Sequence, residues 1–194
     1  MWPEKDEGCW QAVFGEIPKL QKVLELVKSK NVCVQAGGNC GVFAKYLSAE
    51  FKYVYTFEPD PTNYLCLISN APQTNVFKFP AALGDTHVCI DLERDESNCG
   101  AYQVSGNGLI PTLTIDDLAL PACDLIYLDI EGMEYRALVG AEKTLSTFHP
   151  VIVTEEKSHG GRYGVFENTI KDWLKNFGYK QVDRLLNDSV YTCT

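Results

Sequence analysis

Val32-Cys33-Val34-Gln35-Ala36-Gly37-Gly38-Asn39-Cys40-Gly41 is a short β run halted by a glycine loop, and the loop leads directly into a helical stretch over residues 41–50. β-Branched residues suit the pleated backbone, and glycine lets the chain turn sharply and come close to a ligand. Strand, glycine turn and helix in that order open a crossover unit. Reading outward, Tyr53-Val54-Tyr55-Thr56-Phe57 is a second strand, and Asp60-Pro61 supplies an N-cap and a first-turn proline for a helix over 61–70. Residues 75–80 are a third strand. Leu125-Ile126-Tyr127-Leu128 is a continuous apolar run, as a central parallel strand covered on both faces requires.

Leu138, Ala141, Leu145 and Phe148 then mark one helix face, and Val151-Ile152-Val153 another buried strand. Phe166, Ile170, Trp173, Leu174 and Phe177 mark a last helix, and runs 179–184 and 189–193 pair as a terminal hairpin. Upstream, Ile17, Leu20, Leu24 and Val27 fall at helical spacing, with Pro18 in the first turn, which predicts a helix over 16–29. Region 86–118 reads as a hairpin around Val88-Cys89-Ile90 and a Gly/Asn/Ser-rich loop at 97–108. Strand and helix alternate from residue 32 to about 177, so the fold class is α/β with a doubly wound, mainly parallel sheet. Its ligands belong at the carboxyl ends of the strands, where the strand order reverses.

A chain of 194 residues suits one such domain, read as 31–194, preceded by an N-terminal arm and helix over 1–30. Trp2, Trp10 and loop 97–108 are candidate lids, with ordinary packing of the arm the favoured alternative. The start lacks a basic end followed by an apolar run, and no stretch approaches the roughly 18 apolar residues of a membrane span. A cytoplasmic protein with no membrane partner is expected. The eight cysteines form no Cys-x-x-Cys pair and only three histidines accompany them, which favours reduced, mostly buried thiols over a disulfide framework or a zinc site. A net charge of −9 argues against a nucleic-acid partner, because such binding draws on a basic footprint.

Three features carry chemistry. The loop at 35–41 resembles a nucleotide loop, though Ala36 stands at the first glycine of the dinucleotide fingerprint, and a tight βα turn with no ligand is the plain alternative. Glu58 ends the second strand about twenty residues later, where an acid accepts hydrogen bonds from both ribose hydroxyls, with Pro59-Asp60-Pro61 stiffening the turn behind it. Asp129-Ile130-Glu131-Gly132 follows the most apolar strand, and two carboxylates at i and i+2 point the same way if the strand persists. Helix capping accounts for one of them and not readily for both. Glu155 and Glu156 end the next strand, and His159 follows in a glycine loop, a candidate base whose alternative is a solvated side chain.

Taken in order, Val34 to Gly41, Phe57-Glu58-Pro59-Asp60-Pro61-Thr62-Asn63-Tyr64, Ala81-Ala82-Leu83-Gly84-Asp85, Thr114-Ile115-Asp116-Asp117-Leu118 and Leu128-Asp129-Ile130-Glu131-Gly132-Met133-Glu134 resemble the ordered motifs of FkbM-type methyltransferases. The pattern continues from Leu138 to Glu155, so the likeness covers about residues 32–156. It implies a class I methyltransferase (Rossmann-like) fold with seven strands and an antiparallel C-terminal hairpin, and S-adenosylmethionine as cofactor. By that resemblance Gly37, Asn39 and Gly41 line the methionine moiety, Glu58 binds the ribose, and the turn Ala82, Leu83, Asp85 lies near the adenine. Gln35, Gly38 and Pro59 complete the donor set, and Asp129 and Glu131 face the transferred methyl and the acceptor. An acid is usual where this chain has Gln35, so an amide hydrogen bond to the donor's amino group is expected in its place.

The implied reaction is O-methylation of a hydroxyl on a sugar or other small molecule, with Asp129, Glu131 and His159 as candidate catalytic groups. A divalent cation on Asp129, Glu131 and Glu155 is chemically reasonable, but no metal is expected. A non-catalytic binding module that kept the fold is the main rival, for which Gln35 is the hint, and a nicotinamide-dependent oxidoreductase is a weaker one.

Overall fold

The computed structural model describes residues 1–95, 97–155, 163–166 and 168–193. The chain runs α1 (Cys9–Gly15), α2 (Ile17–Leu26), β1 (Val32–Ala36), α3 (Val42–Glu50), β2 (Tyr53–Phe57), α4 (Pro61–Asn70), β3 (Val76–Phe79), β4 (Ala82–Leu83), β5 (Cys89–Glu93), β6 (Gln103–Leu113) and a 3₁₀ turn (Ile115–Leu118). It continues through β7 (Leu125–Leu128), α5 (Glu134–Val139), α6 (Glu142–Phe148), β8 (Val151–Glu155), α7 (Thr169–Leu174) with a 3₁₀ turn (Lys175–Phe177), β9 (Tyr179–Leu185) and β10 (Asp188–Cys193).

Seven strands form one sheet in the order β3-β2-β1-β7-β8-β10-β9. The first five are parallel, and the β9–β10 hairpin pairs antiparallel, as expected. Every residue of β1 and β7 is buried. Alternate side chains of these strands go to opposite faces: Val32, Val34, Ala36, Ile126 and Leu128 meet Leu138, Leu145 and Leu174 on one side. On the other, Cys33, Leu125 and Tyr127 meet Leu20, Phe43, Leu47 and Leu67. That two-sided burial is why these runs carry no polar alternation. The chain winds outward from β1 to β2 and β3, then returns to β7 on the opposite flank, so the crevice opens at the carboxyl ends of β1 and β7.

Several elements depart from the sequence reading. The helix expected over 16–29 is α2, which ends at Leu26 with Val27 already extended, and it is preceded by a helix not expected from sequence, α1. The single helix marked by Leu138 to Phe148 is broken between α5 and α6, where Gly140 passes so close to Gly84 that a Cβ would sit 2.1 Å from its carbonyl oxygen. The Gly140 carbonyl instead accepts the Asp116 N–H at 3.0 Å, a tertiary bond that takes the place of helix continuation. Phe166 lies outside α7 and is exposed. Residues 103–108, read as loop, belong to the eleven-residue β6, which pairs antiparallel with β5 and parallel with β4 in a second, three-stranded sheet. Gly106, Gly108 and Pro111 mask that strand in sequence, and the register shift at Ile90 absorbs the irregular stretch. Among the described residues no helix is long and apolar enough to cross a membrane.

Candidate active site

A cavity of about 500 Å³ lies at the carboxyl ends of β1 and β7, within the size range of small-ligand sites. The strand ends and the glycine loop make its floor, with Gly37, Gly38 and Asn39 on one side and Asp129, Ile130 and Glu131 on the other. Phe57, Ala81, Ala82, Leu83, Leu92 and Val104 give an apolar wall. The N-terminal arm from Glu7 to Glu16 and the segment 97–102 form the remaining walls.

Asp60 fixes the turn after β2, its Oδ1 accepting the N–H groups of Thr62 (2.9 Å) and Asn63 (3.0 Å) as the N-cap of α4. That turn delivers Glu58 to the cavity wall beside Pro59. Glu58 is 5% exposed, and each carboxylate oxygen accepts one backbone N–H, from Asn39 at 2.6 Å and from Asp60 at 2.8 Å. Burial pushes its pKa up to about 7 even though both N–H groups favour the anion. A carboxylate offers about four acceptor sites, so these bonds orient the group without saturating it.

Gly37 has φ 81°, and a Cβ there would lie 1.9 Å from the Asp129 carbonyl oxygen. The glycine therefore serves the close meeting of the β1 and β7 strand ends. Gln35 corrects the sequence expectation. It does not line the cavity: its Nε2 donates to the Gly37 carbonyl at 2.7 Å and its Oε1 accepts from the Thr56 hydroxyl. The amide expected to reach the donor is spent beneath the loop, bracing it. Gly41 and Asp85 also lie off the cavity wall. Gly41 backs onto Leu67, and Asp85 accepts from the Thr86 hydroxyl at 3.3 Å. His159 and Glu156 lie outside the described residues.

The strand does not persist through the acidic motif, so the i, i+2 argument for Asp129 and Glu131 fails in its reason. The chain turns after Leu128, with Glu131 at φ 54° and Gly132 at φ 105°. The turn, not the pleat, brings a carboxylate oxygen of Asp129, Glu131 and Glu155 within 4.8 Å of one another. Oxygen ligands at that spacing suit a hard cation as well as a proton.

Sequence reading missed the group that holds this turn. Glu134 is buried at the start of α5, and its Oε1 accepts the N–H groups of Ile130 (3.0 Å) and Gly132 (3.2 Å). Burial is the main cause that pushes it up to about 7, and nearby Glu155 adds to the rise. Folded Glu58 and Glu134 thus bind protons more tightly than the unfolded chain, whose carboxyls titrate near 4.5. Their stabilising contribution is full below about pH 4.5 and is lost as pH rises through 7. Glu134→Gln keeps an acceptor oxygen and abolishes the ionisation. It should match the parent near pH 4 and exceed it by up to about 3 kcal/mol at pH 8, read from urea midpoints.

The arm, read from sequence as a possible lid through Trp2 and Trp10, meets the cavity instead through residues between Glu7 and Glu16, and polar contacts hold it and the segment it faces in place. Glu7 N–H donates to the Ser97 carbonyl at 3.0 Å, while Asn39 and Asn63 each donate a side-chain N–H to the Cys99 carbonyl. Of the tryptophans, Trp2 packs beside Cys40, Cys66 and Cys99, and Trp10 faces a separate groove with Phe14.

Comparison with known proteins agrees with this architecture. Residues 35–181 match the family described as the Methyltransferase FkbM domain. Among solved structures the fold is similar to methyltransferase FkbM from Methylobacillus flagellatus KT, at 17% identity and TM-score 0.55, covering 84% of this chain and 43% of that one. It is also similar to the N-methyltransferase NodS from Bradyrhizobium japonicum WM9, at 9% identity and TM-score 0.51, covering 92% and 96%. At these identities the likeness is one of fold, and the chain spans less than half of the Methylobacillus protein. A search of curated proteins gave no match. The family match takes in well over half of the sequence and includes the glycine loop, Glu58 and the acidic turn, so the chain belongs to the FkbM methyltransferase domain family of S-adenosylmethionine-dependent transferases with the class I fold.

Proposed function

We propose that this chain methylates a hydroxyl of a sugar or other small molecule, with S-adenosylmethionine as donor bound between the glycine loop and Glu58. The observation that carries the donor assignment is Glu58: a buried carboxylate held by two N–H groups on the wall of a cavity whose flank is apolar. Two ribose hydroxyls match its remaining acceptor capacity, and Ala82 and Leu83 offer a surface for a flat base. S-Adenosylmethionine supplies a methyl on a positively charged sulfonium, activated for transfer to a nucleophile. The protein's part is to hold the acceptor in line and to take its proton. Asp129 and Glu131, gathered with Glu155 by the turn, are the groups assigned to that role, and His159 is retained as a further candidate base. A small-molecule or glycan acceptor fits the walled cavity.

Glu58→Ala should raise the dissociation constant for S-adenosylmethionine or S-adenosylhomocysteine at least about tenfold in calorimetry, the scale of a lost charge-assisted bidentate contact. Unchanged binding would remove Glu58 from the donor site. Donor binding with no methyl transfer across a broad panel of hydroxylated acceptors would overturn the enzyme reading in favour of a binding module.

A further inference from the structure

Four of the eight cysteines meet beside the cavity. Cys40, Cys66 and Cys99 are buried against one another, with Cys9 and Trp2 packed on them. They come from the arm, the glycine loop, α4 and the segment after β5, which are distant in sequence. Buried thiols alone are small hydrophobes. Cys9 and Cys99 differ from the others because a carboxylate joins them: one oxygen of Asp6 and both Sγ atoms lie within 4.8 Å of one another. Cys99 is buried and Cys9 half-buried.

The surroundings fix each of these groups. Asp6 Oδ2 accepts the Trp2 indole N–H at 2.7 Å and the backbone N–H groups of Cys9 (3.0 Å) and Gly8 (3.3 Å). Its Oδ1 accepts the Cys99 N–H at 3.1 Å, and the Cys99 thiol also hydrogen-bonds to this carboxylate, so sulfur and carboxylate already face one another. Burial alone would raise the Asp6 carboxyl, but the Cys99 N–H and Trp2 indole outweigh it and hold the group below its usual range, so it is an anion at neutral pH. The Asn39 side chain closes the far side, its Nδ2 3.8 Å from Cys9 Sγ and its Oδ1 3.8 Å from Cys99 Sγ. A soft cation displaces thiol protons directly when it binds.

We propose that Cys9, Cys99 and Asp6 form a binding site for a thiophilic divalent cation, Zn²⁺ by ligand type, which fastens the N-terminal arm to the 97–100 segment beside the glycine loop. Two S–H bonds break, two metal–thiolate bonds form and two protons leave to solvent, while the Asp6 carboxylate supplies a third ligand. Two thiolates, one carboxylate and a fourth place for water make an ordinary tetrahedral set. The N–H groups on Asp6 are the outer partners that orient such a ligand. No local motif announces the site, because its cysteines stand ninety residues apart in sequence.

The test is anaerobic titration of the fully reduced chain with Cd²⁺, whose thiolate charge-transfer absorption counts sulfur ligands, followed by competition with Zn²⁺. Expected are one ion per chain, two thiolates, two protons released and a melting temperature raised by Zn²⁺. Cys9→Ser, at a half-buried position that tolerates the change, should weaken uptake at least about 100-fold, since loss of an orienting partner alone costs about 10–100-fold. Asp6→Asn should weaken it about tenfold or more. Cys193→Ser, at the far hairpin, should leave uptake unchanged. Absence of saturable uptake, uptake indifferent to Cys9→Ser, or a Cys9–Cys99 disulfide that forms in preference to metal binding would each overturn the proposal.

Discussion

Gly37→Ala is expected to lose at least about 4 kcal/mol of stability, the range reserved for substitutions the fold cannot absorb. The new Cβ would stand 1.9 Å from the Asp129 carbonyl oxygen, whereas real Cβ contacts essentially never fall below 3.0 Å. Opening that gap means parting the ends of β1 and β7 by more than an ångström. The Asp129 N–H bond to the Ala36 carbonyl, 3.1 Å long, lies at that very junction. Backbone strain at φ 81° adds about 1–2 kcal/mol for a residue with a side chain. Against a usual total of about 5–15 kcal/mol, this brings the chain to the edge of unfolding. Urea denaturation is the measurement, with Gly15→Ala as comparator. Gly15 lies in α1 with nothing within 4 Å of its missing Cβ, and alanine there should be neutral or stabilising by up to about 1 kcal/mol. A Gly37→Ala midpoint equal to the parent's would show that the strand ends are not packed this tightly.

The second large effect concerns chemistry and follows from the function proposed above. Asp129→Asn should cut turnover by about 10²–10⁴-fold, the usual worth of a positioned general base, while the donor's dissociation constant stays within about twofold. Asparagine keeps the shape and cannot take a proton. Glu131→Gln is the necessary companion. If the drop in turnover appears there instead, the proton goes to Glu131, and if Asp129→Asn keeps full turnover, Asp129 has no part in the reaction.

Much of this was written in local sequence. The apolar runs at 32–36 and 125–128 are strands buried on both faces, Asp60-Pro61 caps and starts α4, and the last two runs pair as a hairpin. Each depends on neighbours along the chain, through period, cap or proline geometry. Glu58 was legible for the same reason, since a residue that ends a parallel strand is placed by the strand. The elements that were misread depend on partners far along the chain. The break after α5 falls where Gly84 comes close to Gly140, and β6 persists through two glycines and a proline because β4 and β5 flank it.

The sequence by itself determined the α/β architecture, the alternation of strands and helices along the chain and the family, because hydrophobic period and ordered motifs are properties of contiguous residues. Only the tertiary structure decided that Gln35 braces the loop from below, that a turn rather than a pleat gathers Asp129, Glu131 and Glu155, and that the arm walls the cavity. The physical reason is common to all three. A buried polar group must find a partner wherever the fold places one, and neither the partner nor the direction of a side chain beyond a strand's end is encoded within a few residues.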